Sequence, residues 1–325
     1  MRVLQYQTDF FKQIAKKLNK NALLAEEVAQ ALQISRSEAY NKISGKSLAT
    51  LLQIDTLCHT YNVSFEINPP ATLNQCHVKF SSFHSGAADI SKYLESLNNL
   101  MQMLSATGPR KISCATEDIP FYHLFKYPEL TAFKLHFWNN RIIKNRETWH
   151  GEAFDLNKAN KKDICAAYQL HKIYQAIPCV EIWTKSHLLI TIDQLRYAAE
   201  THALKDKKLG RLLCEQVVAA LNDVETYAIR SSKTEDGNAL FDWYFCDLIG
   251  SVTYLAETAE KKHCFLRFNT FNNLQSDDEA LCGEVDMWFQ SLLNDATGFS
   301  GHASKHRNTY VQDAIKTCHN LAAKF

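Results

Sequence analysis

Between Ala25 and Ile43 two short helical patterns stand only three residues apart, and that spacing constrains the chain more than any other feature. Ala25–Leu32 (AEEVAQAL) carries apolar residues at helical spacing, with Glu26 and Glu27 in its first turn, where the helix dipole favours acids. After Gln33-Ile34-Ser35 a second helix is predicted over Arg36–Ile43, with Ser35 as its cap, Glu38 completing a capping box and Gly45 placed to stop it. Upstream, Phe10, Phe11, Ile14, Ala15 and Leu18 fall at helical spacing. Downstream, Leu48–Tyr61 reads as a fourth helix, with Leu48, Leu51, Leu52, Ile54, Leu57, Cys58 and Tyr61 forming a wide apolar face. Residues 1–70 therefore read as a compact all-helical domain.

Two short helices joined by a tight turn, the second opening with small polar residues and an arginine, suit a helix that enters a major groove with its N-terminal side chains facing base edges. The run EEVAQALQISRSEAYNKISGKSLATLLQIDTLCHTYNVSFE resembles the phage-repressor-like helix-turn-helix of the Cro/xenobiotic-response-element (XRE) type. The resemblance rests on Glu26-Glu27-Val28-Ala29, Ile34-Ser35-Arg36-Ser37, Gly45-Lys46 and Val63-Ser64-Phe65-Glu66, which follow one another in the family's order. Gln33 departs from it, standing where a turn glycine is common, and this predicts a slightly different turn geometry. Ile43 departs too, standing where many members carry a glutamate that makes a polar tie within the domain. The resemblance implies that Ser35, Arg36, Ser37, Tyr40 and Asn41 line the DNA-facing side, with Lys42 and Lys46 near phosphates. Arg36 has a planar fork that suits either a guanine edge or a phosphate. The plain alternative is a solvated arginine on an ordinary helical bundle.

Charge refines this expectation. Lys plus Arg total 36 and Asp plus Glu total 35, a formal net charge of +1, so the whole chain has no bulk reason to coat nucleic acid or an anionic membrane. Residues 1–70 hold 8 basic and 6 acidic residues. Non-specific affinity is then weak, and two copies acting as a homodimer on double-stranded DNA are expected. Glycine is scarce, at 10 of 325 residues, and only Gly298 and Gly301 stand within three positions of each other. That excludes both the dinucleotide fingerprint G-x-G-x-x-G and the phosphate loop G-x-x-x-x-G-K-[ST]. Ten cysteines without a C-x-x-C pair read as reduced cytosolic thiols. The sequence shows neither a secretory leader nor an apolar run approaching the roughly 20 residues of a membrane span, so a cytoplasmic location without membrane attachment is expected.

Prolines, serines and broken periodicity mark residues 71–87 as a connector, with Val78 and Phe80 able to form a short strand. Residues 88–325 read as a larger effector and dimerisation domain. Ile90–Leu104 is a strong amphipathic helix, Lys111–Thr116 an alternating strand, and helices follow at about 162–176, 190–203 and 207–222. Strands are predicted at Thr226–Arg230, Ala239–Phe245, Val252–Leu255 and Cys264–Thr270, then helices at about 278–294 and 306–323. The whole reads as α+β, a helical helix-turn-helix domain followed by a mixed α/β domain with a mainly antiparallel sheet.

Glu117, Phe121, Tyr122, Trp138 and Trp243 are the candidate ligand-binding residues, because acids at a strand end running into dense aromatics can floor a pocket. An ordinary hydrophobic core explains the same aromatics, and a solid core at 112–138 and 239–268 would count against a ligand site there. The run Ser300–Arg307 reads as a solvated loop, with an anion-holding or pocket-closing role as the alternative. The histidines and cysteines lack metal-ligand spacing, the carboxylates lack an assignable acid–base pair, and no G-x-S-x-G elbow occurs, so no catalytic residue, metal or cofactor is expected. The expected function is a DNA-binding transcription regulator whose second domain senses a small molecule, dimerises, or both. An enzyme or nucleic-acid-processing factor directed to DNA by the first domain is the alternative.

Overall fold

A computed structural model of the chain describes residues 2–18, 23–65, 76–81, 90–106, 111–139, 153–184, 187–204, 206–248, 252–268, 272–302 and 304–325. They divide into two compact units, Met1–Gln75 and Cys76–Phe325.

The first unit holds α1 (Arg2–Lys17), α2 (Leu24–Leu32), α3 (Arg36–Ile43) and α4 (Leu51–Tyr61). Helices of eight or nine residues are marginal alone in water. Tertiary burial holds these: Phe10, Phe11, Ile14, Val28, Ala39, Ile54 and Leu57 form one core, each large side chain contributing roughly 1.5–3 kcal/mol. The expected start of α4 at Leu48 needs correction. Thr50 caps the helix in a reciprocal capping box with Gln53, so it begins at Leu51. The core takes α4 only from Ile54 onward, and Leu48, Leu51 and Leu52 are 56%, 83% and 75% exposed. Glu66, the last residue of the family-like phrase, lies outside the described residues.

The second unit is built on a seven-stranded sheet. Its strands are β1 (Lys111–Thr116), β2 (Cys179–Trp183), β3 (Phe241–Phe245), β4 (Thr253–Glu257), β5 (Lys262–Phe268), β6 (Asn272–Ser276) and β7 (Thr297–Gly298), in the order β6-β5-β4-β1-β2-β3-β7. The sheet is mixed, which corrects the expectation of a mainly antiparallel one. Strands β1, β2 and β3 run parallel at its centre, and the flanking pairs are antiparallel. Parallel neighbours require crossovers. The first contains α6 (Phe121–Leu124), α7 (Pro128–Trp138) and α8 (Lys161–Gln175); the second contains α9 (His187–Glu200) and α10 (Lys207–Arg230).

Alternation along the strands separates two cores. Ile112, Cys114, Cys179, Trp183, Tyr254 and Phe265 face a large helical layer that includes α5 (Ile90–Ala106), α8, α10 and α12 (Lys305–Ala322). Ala115, Ile182, Leu255 and Cys264 face the opposite way, against Cys282, Val285, Phe289 and Leu292 of α11 (Glu279–Asp295). The strand expected at Thr226–Arg230 is instead the last part of α10. Its buried residues continue at helical spacing through Val217, Leu221, Val224 and Ala228, and Ser231 ends it in the left-handed conformation. Most of the predicted connector at 71–87 lies outside the described residues. Residues 76–81 belong to the second unit, where Lys79 and Gln275 exchange backbone hydrogen bonds at the β6 edge.

His171 on α8 gives this packing a pH signature. It is buried, and its Nδ1 lies 2.9 Å from the Tyr122 carbonyl oxygen, which fixes Nδ1 as the donor. Burial, with the electrostatic effect of His123, Lys126 and Lys172, outweighs that bond and pushes the imidazole down to about 4. Because the folded state disfavours the charged ring, the associated stability is complete above the unfolded value near 6.5 and is lost as pH falls toward 4. The second unit is expected to lose about 2 kcal/mol between pH 7 and pH 5 through this group. His171→Gln, which keeps a donor for Tyr122, should flatten that slope in chemical denaturation; an unchanged slope would reject the assignment.

Candidate functional site

Two features of the structure have the geometry of sites, one in each unit. In the first, Gln33 adopts φ 54° and ψ 41°, the left-handed conformation that glycine enters most easily. The turn is therefore the one a glycine would make, and the expectation of a different geometry at Gln33 is corrected. Ser35 then caps α3, its Oγ accepting from the Glu38 N–H at 3.2 Å. This brings Ser35, Arg36, Ser37 and Tyr40 to the exposed opening turns of α3, with Asn41 half-buried behind them. Arg36 Nη1 sits 2.9 Å from Glu26 Oε1 on α2. Both side chains are more than half exposed, so this pair stabilises by at most about 1 kcal/mol and releases the guanidinium to a stronger anion at little cost.

The loop after α3 is tightly folded. The backbone N–H groups of Lys46 and Ser47 both donate to the Asn41 carbonyl, at 2.8 and 3.1 Å, while Gly45 takes φ 75°, which a side chain would strain. Lys46 stays exposed, its ammonium 5.9 Å from the centre of the Tyr40 ring. Lys42 departs from the expected phosphate-facing set. It is buried, and its ammonium donates to the Leu48 carbonyl at 3.1 Å, with Glu38 at 3.6 Å, so it ties α3 to the following loop. Gln7 of α1, which no sequence pattern singles out, completes the tie. Its amide nitrogen donates to the carbonyls of Lys42 (2.7 Å) and Ser47 (2.9 Å), and its oxygen accepts from the Ala49 N–H (2.8 Å).

In the second unit a cavity of about 440 Å³ opens between α9, α12 and the ends of β3 and β7. Phe245, the last residue of β3, places it beside a carboxyl end of the parallel strands, where open α/β sheets commonly bind ligands. Ile192, Phe245, Phe299, Tyr310 and Ala314 form its apolar wall. Lys305 and His306 in the first turn of α12, Asp313 two turns further on, and the hydroxyls of Thr297, Thr309 and Thr317 supply its polar groups. Tyr310 is fixed by its hydroxyl, which donates to the Thr184 carbonyl at 3.2 Å. The loop carrying Phe299 is fixed by the buried Arg307, whose Nη1 donates to the carbonyls of Phe299 (2.6 Å) and Gly301 (2.5 Å).

The five residues expected to bind a ligand do not converge on this cavity. Phe121, Tyr122 and Trp138 are buried core side chains: Phe121 packs 5.9 Å from Trp138, and Tyr122 stacks on Tyr174 at 4.5 Å. Glu117 is half-buried just beyond β1. Trp243 is fully buried behind the cavity wall, 5.1 Å from Phe299 and 5.8 Å from Tyr310. A void of about 30 Å³ is bordered by Ile112, Tyr122 and Tyr254, and a cavity of about 240 Å³ lies against Ala132, Leu135 and His136 of α7; Phe121, Tyr122 and Trp138 themselves are core. The run Ser300–Arg307, read as a solvated loop, instead borders the cavity through Lys305 and His306 and anchors its wall through Arg307.

Chemistry-bearing groups also cluster away from both features. Glu181, in the middle of β2, is fully buried and accepts from His123 Nε2 (2.8 Å), Tyr174 OH (2.6 Å) and Trp183 Nε1 (2.8 Å). Burial works to raise its pKa, but His123, the hydrogen bonds and the charge of Lys233 outweigh that and hold the carboxyl below its usual range. None of these residues lines the 440 Å³ cavity, and the cluster reads as an internal brace. A second brace joins Lys134 to Asp118 (3.4 Å), Thr191 (3.1 Å) and Gln194 (2.9 Å), tying the start of α9 to the segment after β1. Among the described residues no group of three or more His, Cys, Asp or Glu is placed to hold a metal ion, and no helix is long and apolar enough to cross a membrane. Comparison of the chain with protein-family models, curated proteins and solved structures gave no match.

Proposed function

We propose that the chain is a sequence-specific DNA-binding transcription regulator, of the Cro/XRE-like helix-turn-helix type, whose second unit binds a small-molecule effector. The observation that carries this reading is the α2–turn–α3 geometry. A left-handed residue closes α2, a serine caps α3 two positions later, and the first two turns of α3 expose Ser35, Arg36, Ser37 and Tyr40 together. A helix entering a major groove reads base edges from those positions. Lys46 supports it from the flanking loop, within reach of a phosphate, while Lys42 serves the scaffold. With so little net positive charge, recognition relies on base contacts and on a homodimer spanning two half-sites about 34–36 Å apart.

Selection from random DNA by the full chain, followed by footprinting, tests the reading: a discrete palindromic site is expected, and recovery of no enriched sequence would overturn it. On that site Arg36→Ala should weaken binding by about 1–3 kcal/mol while leaving thermal unfolding unchanged. Wild-type affinity in the variant would remove Arg36 from the interface.

A further inference from the structure

We infer that the cavity between α9, α12 and the ends of β3 and β7 is a binding site for a small monocarboxylic acid with an aromatic or branched aliphatic body, an assignment that rests on reading the second unit as an effector domain. A volume of about 440 Å³ lies within the range of small-molecule sites. Its inner wall is apolar and largely pre-formed, because the Tyr310 hydroxyl and the Arg307 guanidinium hold two of its aromatic residues in place. A ligand body of hydrocarbon therefore gains burial without having to order the site.

The charge at the mouth selects the head group. Helices favour acids in the first turn, yet α12 has none there and instead carries Lys305 and His306. Both line the cavity, so Lys305 brings a cationic side chain to the edge of a space whose inner wall is hydrocarbon. An entering carboxylate meets that charge at a lower effective dielectric than in bulk water, which strengthens the pair. Thr309, one turn further along α12, adds a hydroxyl to the same wall. Asp313, two turns from Lys305, fixes the orientation: a single acid group sits at the Lys305 end, and a second one at the far end is repelled.

The test is calorimetric titration of the full chain with benzoate, 3-phenylpropanoate and 4-methylpentanoate, each beside its neutral amide. At least one acid should bind, at least tenfold more tightly than its amide. Lys305→Gln combined with His306→Gln should lower that acid's affinity about tenfold without changing the melting temperature, because both side chains are exposed. Thr309→Trp, which fills the cavity from an exposed helical position, should abolish binding of acid and amide alike. No binding of any acid at millimolar concentration, equal binding of acid and amide, or full binding by Thr309→Trp would each overturn the site. Absent acid binding in a chain that still selects a DNA site rejects this assignment alone. Acid binding in a chain that selects no DNA rejects the regulator reading alone.

Discussion

Replacing Glu181 by alanine is expected to cost the second unit about 3–5 kcal/mol, because it removes one partner of a buried charge network and leaves the others in place. The carboxylate is a shared acceptor for donors on three elements: His123 on α6, Tyr174 on α8, and Trp183 and the Cys179 thiol on β2 itself. Without it, those donors stay buried and lose their charged acceptor, and the buried Lys233, 4.0 Å from the Tyr174 ring, loses the carboxylate charge that favours its protonated form. The loss would be a large part of the roughly 5–15 kcal/mol that holds an ordinary domain folded. Glu181→Gln should cost less, because an amide oxygen still accepts from part of the donor set although the charge is lost. Denaturant titration followed by the fluorescence of the buried tryptophans of this unit measures both. A loss below about 1 kcal/mol for the alanine variant would mean that the brace contributes no net stability.

Replacing Gln7 by alanine is expected to cost the first unit about 2–4 kcal/mol, since it strips partners from the carbonyls of Lys42 and Ser47 and from the N–H of Ala49. Its consequence should reach function, because those groups belong to the loop that carries Lys46 and joins α3 to α4. Hydrogen exchange in the full chain should accelerate across residues 42–50, and the DNA affinity proposed for this unit should fall with it. Protection unchanged at Ala49 would show that the loop holds without this side chain. Gln7→Glu offers no rescue, because a carboxylate would face two carbonyl oxygens.

Most of the helices and three of the central strands were legible because their periodicity is local. The apolar spacing of Ile90–Leu104, the box at Ser35 and Glu38, and the alternation in Lys111–Thr116 each need only a few neighbouring residues to be read. Strand β2 was not legible. Its five residues CVEIW are all buried, so the inside–outside alternation of a half-exposed strand is missing, and a glutamate interrupts the apolar run. Strand β6 (NNLQS) is polar enough to pass for a loop, and pairing with β5 makes it a strand. Missing β2 concealed the parallel centre of the sheet, and with it the carboxyl ends beside which the cavity lies.

The two sites divide in the same way. Ser35, Arg36, Ser37 and Tyr40 are neighbours in sequence, so a cap and a turn suffice to bring them to one end of a helix. Lys42 lies on the same helix, but its burial depends on a loop that Gln7 fastens from 35 residues upstream. The cavity depends on residues still more distant: Ile192, Phe245, Phe299 and Tyr310 come from four separate segments and share no pattern. By itself the sequence determined the helical character of the first unit, the serine cap that opens the helix carrying Arg36, and the absence of a nucleotide-binding glycine loop, because each is set by residues close along the chain. Tertiary structure alone decided the parallel core of the sheet, the role of Glu181 and the position of the cavity, because burial and long-range pairing are properties of surfaces that meet only after the chain has folded.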